Sequence, residues 1–104
     1  MANISPSIEK SVQRFLYMVR SRYRIQAAYL YGSQVKGKAT QWSDIDVAVV
    51  SPDFSDDLFE ERLILMQLAA DIDDRIEPSP FKVETFNVND PIANEIQKRG
   101  IRVA

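Results

Sequence analysis

Two aspartates separated by one residue are the first feature of the sequence that could carry chemistry. They are Asp44 and Asp46, in a segment whose alternating apolar residues predict a strand from Asp44 to Val50. Residues two apart on a strand point to the same face, so the two carboxylates would lie side by side and repel each other. A divalent cation would remove this repulsion by using both as ligands. An isolated Asp-x-Asp is more often an ordinary surface feature, so the pair needs a second signal.

The second signal is the dipeptide Gly32-Ser33, which follows a predicted strand from Ile25 to Tyr31. Glycine lets the backbone approach a ligand closely, and a helical turn that begins at Ser33 would direct free N–H groups toward phosphate. Lys36 and Lys38 could place positive charge near the same phosphates. A plain turn is the commoner explanation for glycine and serine alone, and the Gly-Lys-Ser/Thr of a Walker loop is missing.

The composition removes several classes of chemistry. The 104 residues contain no cysteine and no histidine, which excludes disulfide scaffolds, thiol nucleophiles, Ser-His-Asp triads and imidazole ligands. Any metal must therefore be held by oxygen, which favours a hard cation such as Mg²⁺. The length predicts one domain over residues 1–104. Because no apolar run approaches membrane-spanning length and the N-terminus lacks a signal-peptide layout, we expect a cytoplasmic protein.

The net charge of −2 hides an asymmetry along the chain. Residues 1–38 hold seven bases and one acid, whereas residues 39–104 hold six bases and fourteen acids. A basic half beside an acidic half could reflect an anionic ligand, metal-binding carboxylates or both, although solvated surface charge is the commoner cause.

The predicted elements form a small α/β or α+β domain with a few strands and helices packed against them. Capping residues and helical spacing predict helices at about 5–21, 56–73 and 89–99. Short strands are predicted at 75–77 and 101–103, in addition to the two described above. Pro78 and Pro80 are expected to end the third strand because proline cannot donate a ladder hydrogen bond. Residues 81–89 have no clear assignment.

The order strand, Gly-Ser, a ten-residue loop (34–43) and Asp-Ile-Asp in a second strand resembles the nucleotidyltransferase superfamily, whose fold is that of DNA polymerase β and kanamycin nucleotidyltransferase. The sequence is most similar to the minimal nucleotidyltransferase family, and the resemblance extends from Ala27 to Val103. It implies an α/β (α+β) fold in which a small mixed β-sheet carries helices packed on it.

The resemblance also implies a set of site residues. Gly32 and Ser33 match the pair that holds the phosphates of the nucleotide, with Lys36 as a nearby cation. Asp44 and Asp46 match the two catalytic aspartates that bind the metal.

The superfamily usually adds a third carboxylate on a later strand, as a metal ligand or a base for the attacking hydroxyl. Glu77 is the predicted residue, because it ends a short strand and precedes a proline, and Glu84 is the alternative. Two departures are a glutamate where the family usually has aspartate, and Gln34 where it often has arginine.

The resemblance implies Mg²⁺-dependent transfer of a nucleoside monophosphate, most simply AMP from ATP, to a protein hydroxyl. Similar proteins are often the antitoxin of a pair whose toxin is a HEPN-domain protein. One alternative is a weak or inactive nucleotide-binding antitoxin that neutralises its partner by binding. Another is a transferase that acts on RNA 3′ ends.

Overall fold

The computed structural model describes residues 4–35 and 43–104. Within these residues the helices are α1 (Pro6–Arg20), α2 (Leu58–Ala70) and α3 (Pro91–Arg99). The strands are β1 (Ala27–Tyr31), β2 (Ile45–Ser51), β3 (Ile76–Lys82) and β4 (Ile101–Arg102), and a 3-10 turn, Gly32–Gln34, follows β1. None of the described helices has the length and apolar content needed to cross a membrane.

The four strands form one mixed sheet in the order β3-β2-β1-β4. The central strand β2 runs antiparallel to β1 and parallel to β3, and β4 pairs antiparallel with the other edge of β1. Parallel neighbours require a crossover, which α2 provides between β2 and β3. The predicted architecture, a small mixed sheet with helices packed on it, is confirmed.

The core has two parts because strand residues alternate between the faces of the sheet. Helices α1 and α2 cover one face, where Leu30, Val47 and Val49 are fully buried. Helix α3 lies on the other face, against Ala48 and Val50. Asp46 is two residues from Ala48 and four from Val50 along β2, so its side chain points to the same face as theirs, which is the α3 face.

Strand β3 is longer than predicted, and the expectation that Pro78 and Pro80 end it was wrong. The N–H of Ile45 donates to the carbonyl of Arg75 at 2.8 Å, which fixes the hydrogen-bonding pattern between β2 and β3. In this pattern the residues of β3 that donate into β2 are 77, 79 and 81. The nitrogens of both prolines therefore face the free edge of the sheet, where no ladder hydrogen bond is lost.

Other boundaries differ by a few residues from the prediction. Strand β2 begins at Ile45, so Asp44 lies immediately before the strand rather than inside it. The start of α3 is as predicted, because the Asp90 side chain accepts hydrogen bonds from the N–H groups of Ile92 and Ala93.

Candidate active site

Three polar residues lie at one level across the sheet. The register pairs Tyr31 of β1 with Asp46 of β2, and Asp46 with Glu77 of β3. Directly paired residues point to the same face, with Cβ atoms about 5 Å apart. Asp46 therefore lies between Tyr31 and Glu77, and the predicted third carboxylate is the immediate cross-strand neighbour of a predicted metal ligand.

The electrostatic environment of Asp46 is dominated by burial and negative charge. The pKa of Asp46 is raised, first by burial, then by the charge of Asp44 and then by that of Glu77. Asp44 and Glu77 are thus both close enough to act on Asp46, and we call the three residues the carboxylate cluster. A cation bound there would be stabilised by all three charges.

Gly32 brings the turn after β1 against the carboxylate cluster. Its φ is +76°, a conformation that side-chain-bearing residues adopt only with strain. A Cβ atom at this position would lie 2.2 Å from Oδ2 of Asp46, so the close approach also requires glycine. The predicted phosphate turn and a predicted metal ligand are therefore in contact. Ser33 is the middle residue of this turn, whereas Lys36 lies outside the described residues.

Gln34, at the end of the 3-10 turn, has a structural role that sequence reasoning missed. Its Nε2 donates a hydrogen bond to the backbone carbonyl of Asp44 at 3.2 Å. This bond joins the turn that follows β1 to the residue that precedes β2. It therefore holds together the two ends of the connection between the two sequence motifs.

Glu84, the alternative third carboxylate, is not brought to the cluster. It is exposed in the turn after β3, where its carboxylate lies 3.7 Å from the ammonium of Lys82. Glu77 is near the start of β3 and Glu84 lies beyond its end, which separates them by roughly 20 Å of extended chain. The geometry favours Glu77 over Glu84 as the third acid.

Two further residues at this site carried no signal in the sequence. The Tyr31 hydroxyl lies 3.1 Å from the Ser79 hydroxyl, and the pKa of Tyr31 is raised chiefly by burial. Arg62 of α2 places its Nη2 3.6 Å from Oε2 of Glu77. Both contacts depend on the register of β3 against β2, which no local pattern reveals.

The donor set of the cluster suits Mg²⁺. Within residues 4–35 and 43–104, no three acidic side chains converge closely enough to form a complete ligand set. Mg²⁺ does not need such a set, since it is usually held by one or two carboxylates and completed by water and substrate phosphates. The adjacent carboxylates of Asp46 and Glu77, with Asp44 nearby, fit this pattern.

A cavity of about 610 Å³ adjoins the same turn. Its walls include Tyr31, Gly32 and Val35 on one side and Ile96 and Arg99 of α3 on the other. The site thus combines an acidic cluster, a close backbone turn and an adjoining space large enough for an organic ligand.

Comparison with known proteins identifies a family and related folds. The sequence pattern of the family described as "Polymerase beta, Nucleotidyltransferase" matches residues 16–104. A crystal structure of a toxin–antitoxin with AMP-PNP is 23% identical to this chain, with a TM-score of 0.65 over 92% of this chain and 72% of that one. A candidate nucleotidyltransferase from Sulfolobus solfataricus is 15% identical, with a TM-score of 0.54 over 98% of this chain and 89% of that one. These two similarities concern the fold, and no curated protein matches the sequence.

Proposed function

This chain belongs to the polymerase β nucleotidyltransferase family, and we propose that it transfers AMP from ATP to a hydroxyl group of a partner protein. The observation that carries the proposal is the position of Asp46, which touches the Gly32 turn on one side and is paired with Glu77 on the other. A turn for phosphates and an acidic cluster for a cation are thereby adjacent, as transfer of a phosphoryl-linked group requires.

The proposed roles follow from these positions. The Gly32 turn lets the triphosphate come close to the backbone, with Ser33 as a further contact. Asp44 and Asp46 would hold Mg²⁺, which when bound supplies positive charge to the phosphates and to the departing pyrophosphate, and Glu77 beside them would serve as the base. The cavity beside Tyr31 and Gly32 has room for the rest of the nucleotide.

The reaction forms one bond and breaks one bond at the α-phosphorus. The acceptor oxygen bonds to this phosphorus, and the bond to the oxygen that leads to the β-phosphate breaks. Pyrophosphate leaves with the electron pair, and AMP stays on the acceptor. The Glu77 carboxylate accepts the proton of the attacking hydroxyl, whose own pKa of about 10 or more keeps it protonated at neutral pH.

The proposed partner is a toxin. The toxin–antitoxin structure with AMP-PNP, which shares the fold, supports both a nucleotide ligand and this kind of assembly for the present chain. We propose a HEPN-domain protein as the toxin, as the resemblance to minimal nucleotidyltransferases implies, and the cytoplasm as the location.

A second candidate function is an antitoxin that binds nucleotide and neutralises its partner by occlusion, with little or no transfer. The observation that favours it is Gln34, which stands where the family often has arginine and is engaged with the Asp44 carbonyl. Its side chain therefore contributes a structural contact at a position where a cation could contact phosphate.

Transfer of label from α-³²P-ATP to a candidate HEPN-domain toxin, in the presence of Mg²⁺, tests the proposal. Wild type and Glu84→Gln should label the toxin, because Glu84 lies far from the cluster. The double variant Asp44→Asn/Asp46→Asn and the single variant Glu77→Gln should lose at least about 100-fold in rate.

The same experiment separates the two functions when toxin neutralisation is measured in parallel. Neutralisation that survives Asp44→Asn/Asp46→Asn, with no labelling by wild type, would favour occlusion. A folded wild-type protein that transfers no label would contradict the transferase proposal.

A further inference from the structure

The carboxylate cluster has two sides along the sheet. The Gly32 turn lies against Asp46 from the β1 side, and Glu77 lies on the β3 side. Strand β3 is an edge strand, so the side of the cluster at Glu77 opens to the edge of the sheet. Under the proposed function, on which this inference rests, the nucleotide phosphates occupy the Gly32 side and the acceptor hydroxyl approaches from the Glu77 side.

Arg62 reaches the acceptor side from the opposite face of the sheet. It belongs to α2, whose buried residues Leu65 and Ala69 pack in the core together with Ile76 of β3. Glu77, the next residue in the strand, points to the α3 face. The guanidinium therefore meets the Glu77 carboxylate around the free edge of β3, with 3.6 Å between Nη2 and Oε2.

Arg62 also changes the charge balance of the site. In the part of the chain that the structure describes, it makes the only ion pair with a member of the carboxylate cluster. The charge of Arg62 also reaches Tyr31. It acts to lower the pKa of Tyr31, whereas the charges of Asp46 and Glu77 act to raise it. The cation is thus close to the site and lies on one side of it only.

The pairing distinguishes the two oxygens of Glu77. The closest approach is at Oε2, and no described residue donates a hydrogen bond to the Glu77 carboxylate. We propose that Arg62 is a positioning residue that fixes the Glu77 carboxylate at Oε2 and leaves Oε1 to receive the proton of the acceptor hydroxyl. The approach at 3.6 Å is an ion pair without a hydrogen bond, so Arg62 acts on the carboxylate through its positive charge, which lysine would partly reproduce.

This role predicts a separation between catalysis and nucleotide binding. Arg62→Ala should lower kcat for transfer about 10- to 100-fold, while the KM for ATP and the affinity for AMP-PNP with Mg²⁺ stay within twofold of wild type. Arg62→Lys should recover part of kcat. Arg20→Ala, which removes an exposed arginine from α1, serves as the matched control and should be unchanged.

A double variant tests whether Arg62 acts through Glu77. If it does, Arg62→Ala adds no further loss to Glu77→Gln, because the carboxylate that it orients is no longer charged. Losses that multiply in the double variant, or a fall in AMP-PNP affinity in Arg62→Ala, would overturn the inference. A wild-type protein without transfer would overturn the proposed function and the inference together, whereas an active wild type matched by Arg62→Ala would overturn the inference alone.

Discussion

The two ends of strand β2 use acidic residues in opposite ways. Past Ser51, where β2 ends, the buried carboxylate of Glu61 in α2 accepts hydrogen bonds from the Tyr23 hydroxyl at 2.8 Å and from the Ser55 N–H at 2.7 Å. Asp53 there accepts from the backbone N–H and the guanidinium of Arg24. Near the start of the same strand, Asp46 is instead half-buried, with two other carboxylates close to it.

The pKa values of Asp53 and Asp46, at the two ends of β2, shift in opposite directions. Hydrogen bonds from Arg24 hold the pKa of Asp53 below its usual range, and burial with the Glu61 hydrogen bond raises the pKa of Tyr23 to about 12. Burial and like charges raise the pKa of Asp46. Asp53 is thus held in its charged form by a partner, whereas the charged form of Asp46 is disfavoured, as expected where stability is exchanged for function.

Gly32→Ala should have the largest effect, because it disrupts the close contact between the Gly32 turn and the Asp46 carboxylate. The positive φ makes alanine unfavourable by about 1–2 kcal/mol, and the new Cβ would displace the Asp46 carboxylate. A displacement of about 1 Å is enough for a loss of roughly 100-fold in transfer rate. Labelled-ATP transfer and thermal melting measure the two effects.

The displacement has a specific control. In an Asp46→Ala background, the oxygen that the new Cβ meets is absent, so Gly32→Ala should destabilise the protein less than it does in wild type. Equal penalties in both backgrounds would mean that the contact between Gly32 and Asp46 is not what constrains this turn.

Glu61→Ala tests the opposite end of β2. It leaves the buried Tyr23 hydroxyl and the Ser55 N–H without their acceptor, so the free energy of unfolding should fall by about 2 kcal/mol. Urea unfolding measures this loss, and Tyr23→Phe should be milder because Glu61 keeps its bond from Ser55. The transfer rate of the folded fraction should stay unchanged; a selective loss of activity would show that the two ends are not independent.

Asp73→Asn tests another stabilising acid, through the pH dependence of the free energy of unfolding. The guanidinium of Arg75 holds the pKa of Asp73 at about 2, with the Ser11 hydroxyl as a further donor. Because the folded-state pKa is depressed, its stabilisation is present above the unfolded value near 4 and disappears as the pH falls toward 2. We expect the asparagine variant to lose about 1–2 kcal/mol at pH 7, after allowance for solvent screening, and almost nothing near pH 2.

Unfolding curves at several pH values measure this difference, with Asp74→Asn as the exposed neighbouring control. A difference between Asp73→Asn and wild type that stays constant from pH 7 to pH 2 would contradict an ionic origin.

Asp46→Asn should have the smallest effect on stability and the opposite sign. It removes a half-buried charge that its neighbours repel, so the metal-free protein should gain less than about 1 kcal/mol after allowance for solvent screening. Since the pKa of Asp46 is raised, the gain should shrink as the pH falls through that value and wild type becomes protonated. Mg²⁺ should raise the Tm of wild type but not of the variant, and a metal-free variant less stable than wild type would refute this interpretation.

The local part of the site could be predicted from the sequence, and the long-range part could not. Asp46 and Gly32 are marked by spacing, residue type and strand context, all of which are local. The position of Glu77 was also predicted, although the strand that carries it was expected to stop there. Its true length depends on β3 being an edge strand, which is a property of strand order rather than of any segment.

The partners of these residues show the same limit. Gln34 and Arg62 are ordinary polar residues until the sheet register places them beside Asp44 and Glu77. Burial and pairing across 10 or more residues determine their roles, and periodicity contains no information about either.

The outward-facing prolines of β3 have a consequence for how other molecules can meet this edge. A strand that is added to an exposed edge needs alternating donors and acceptors along it, and Pro78 and Pro80 withhold two donors next to the acidic end. A second copy or an extended peptide that paired beside Glu77 would lack two ladder hydrogen bonds, which disfavours edge-to-edge association there. Under the proposed function, an acceptor protein that reaches this end would be recognised through its side chains, so a folded domain that offers a protruding hydroxyl is a better match than an unstructured tail.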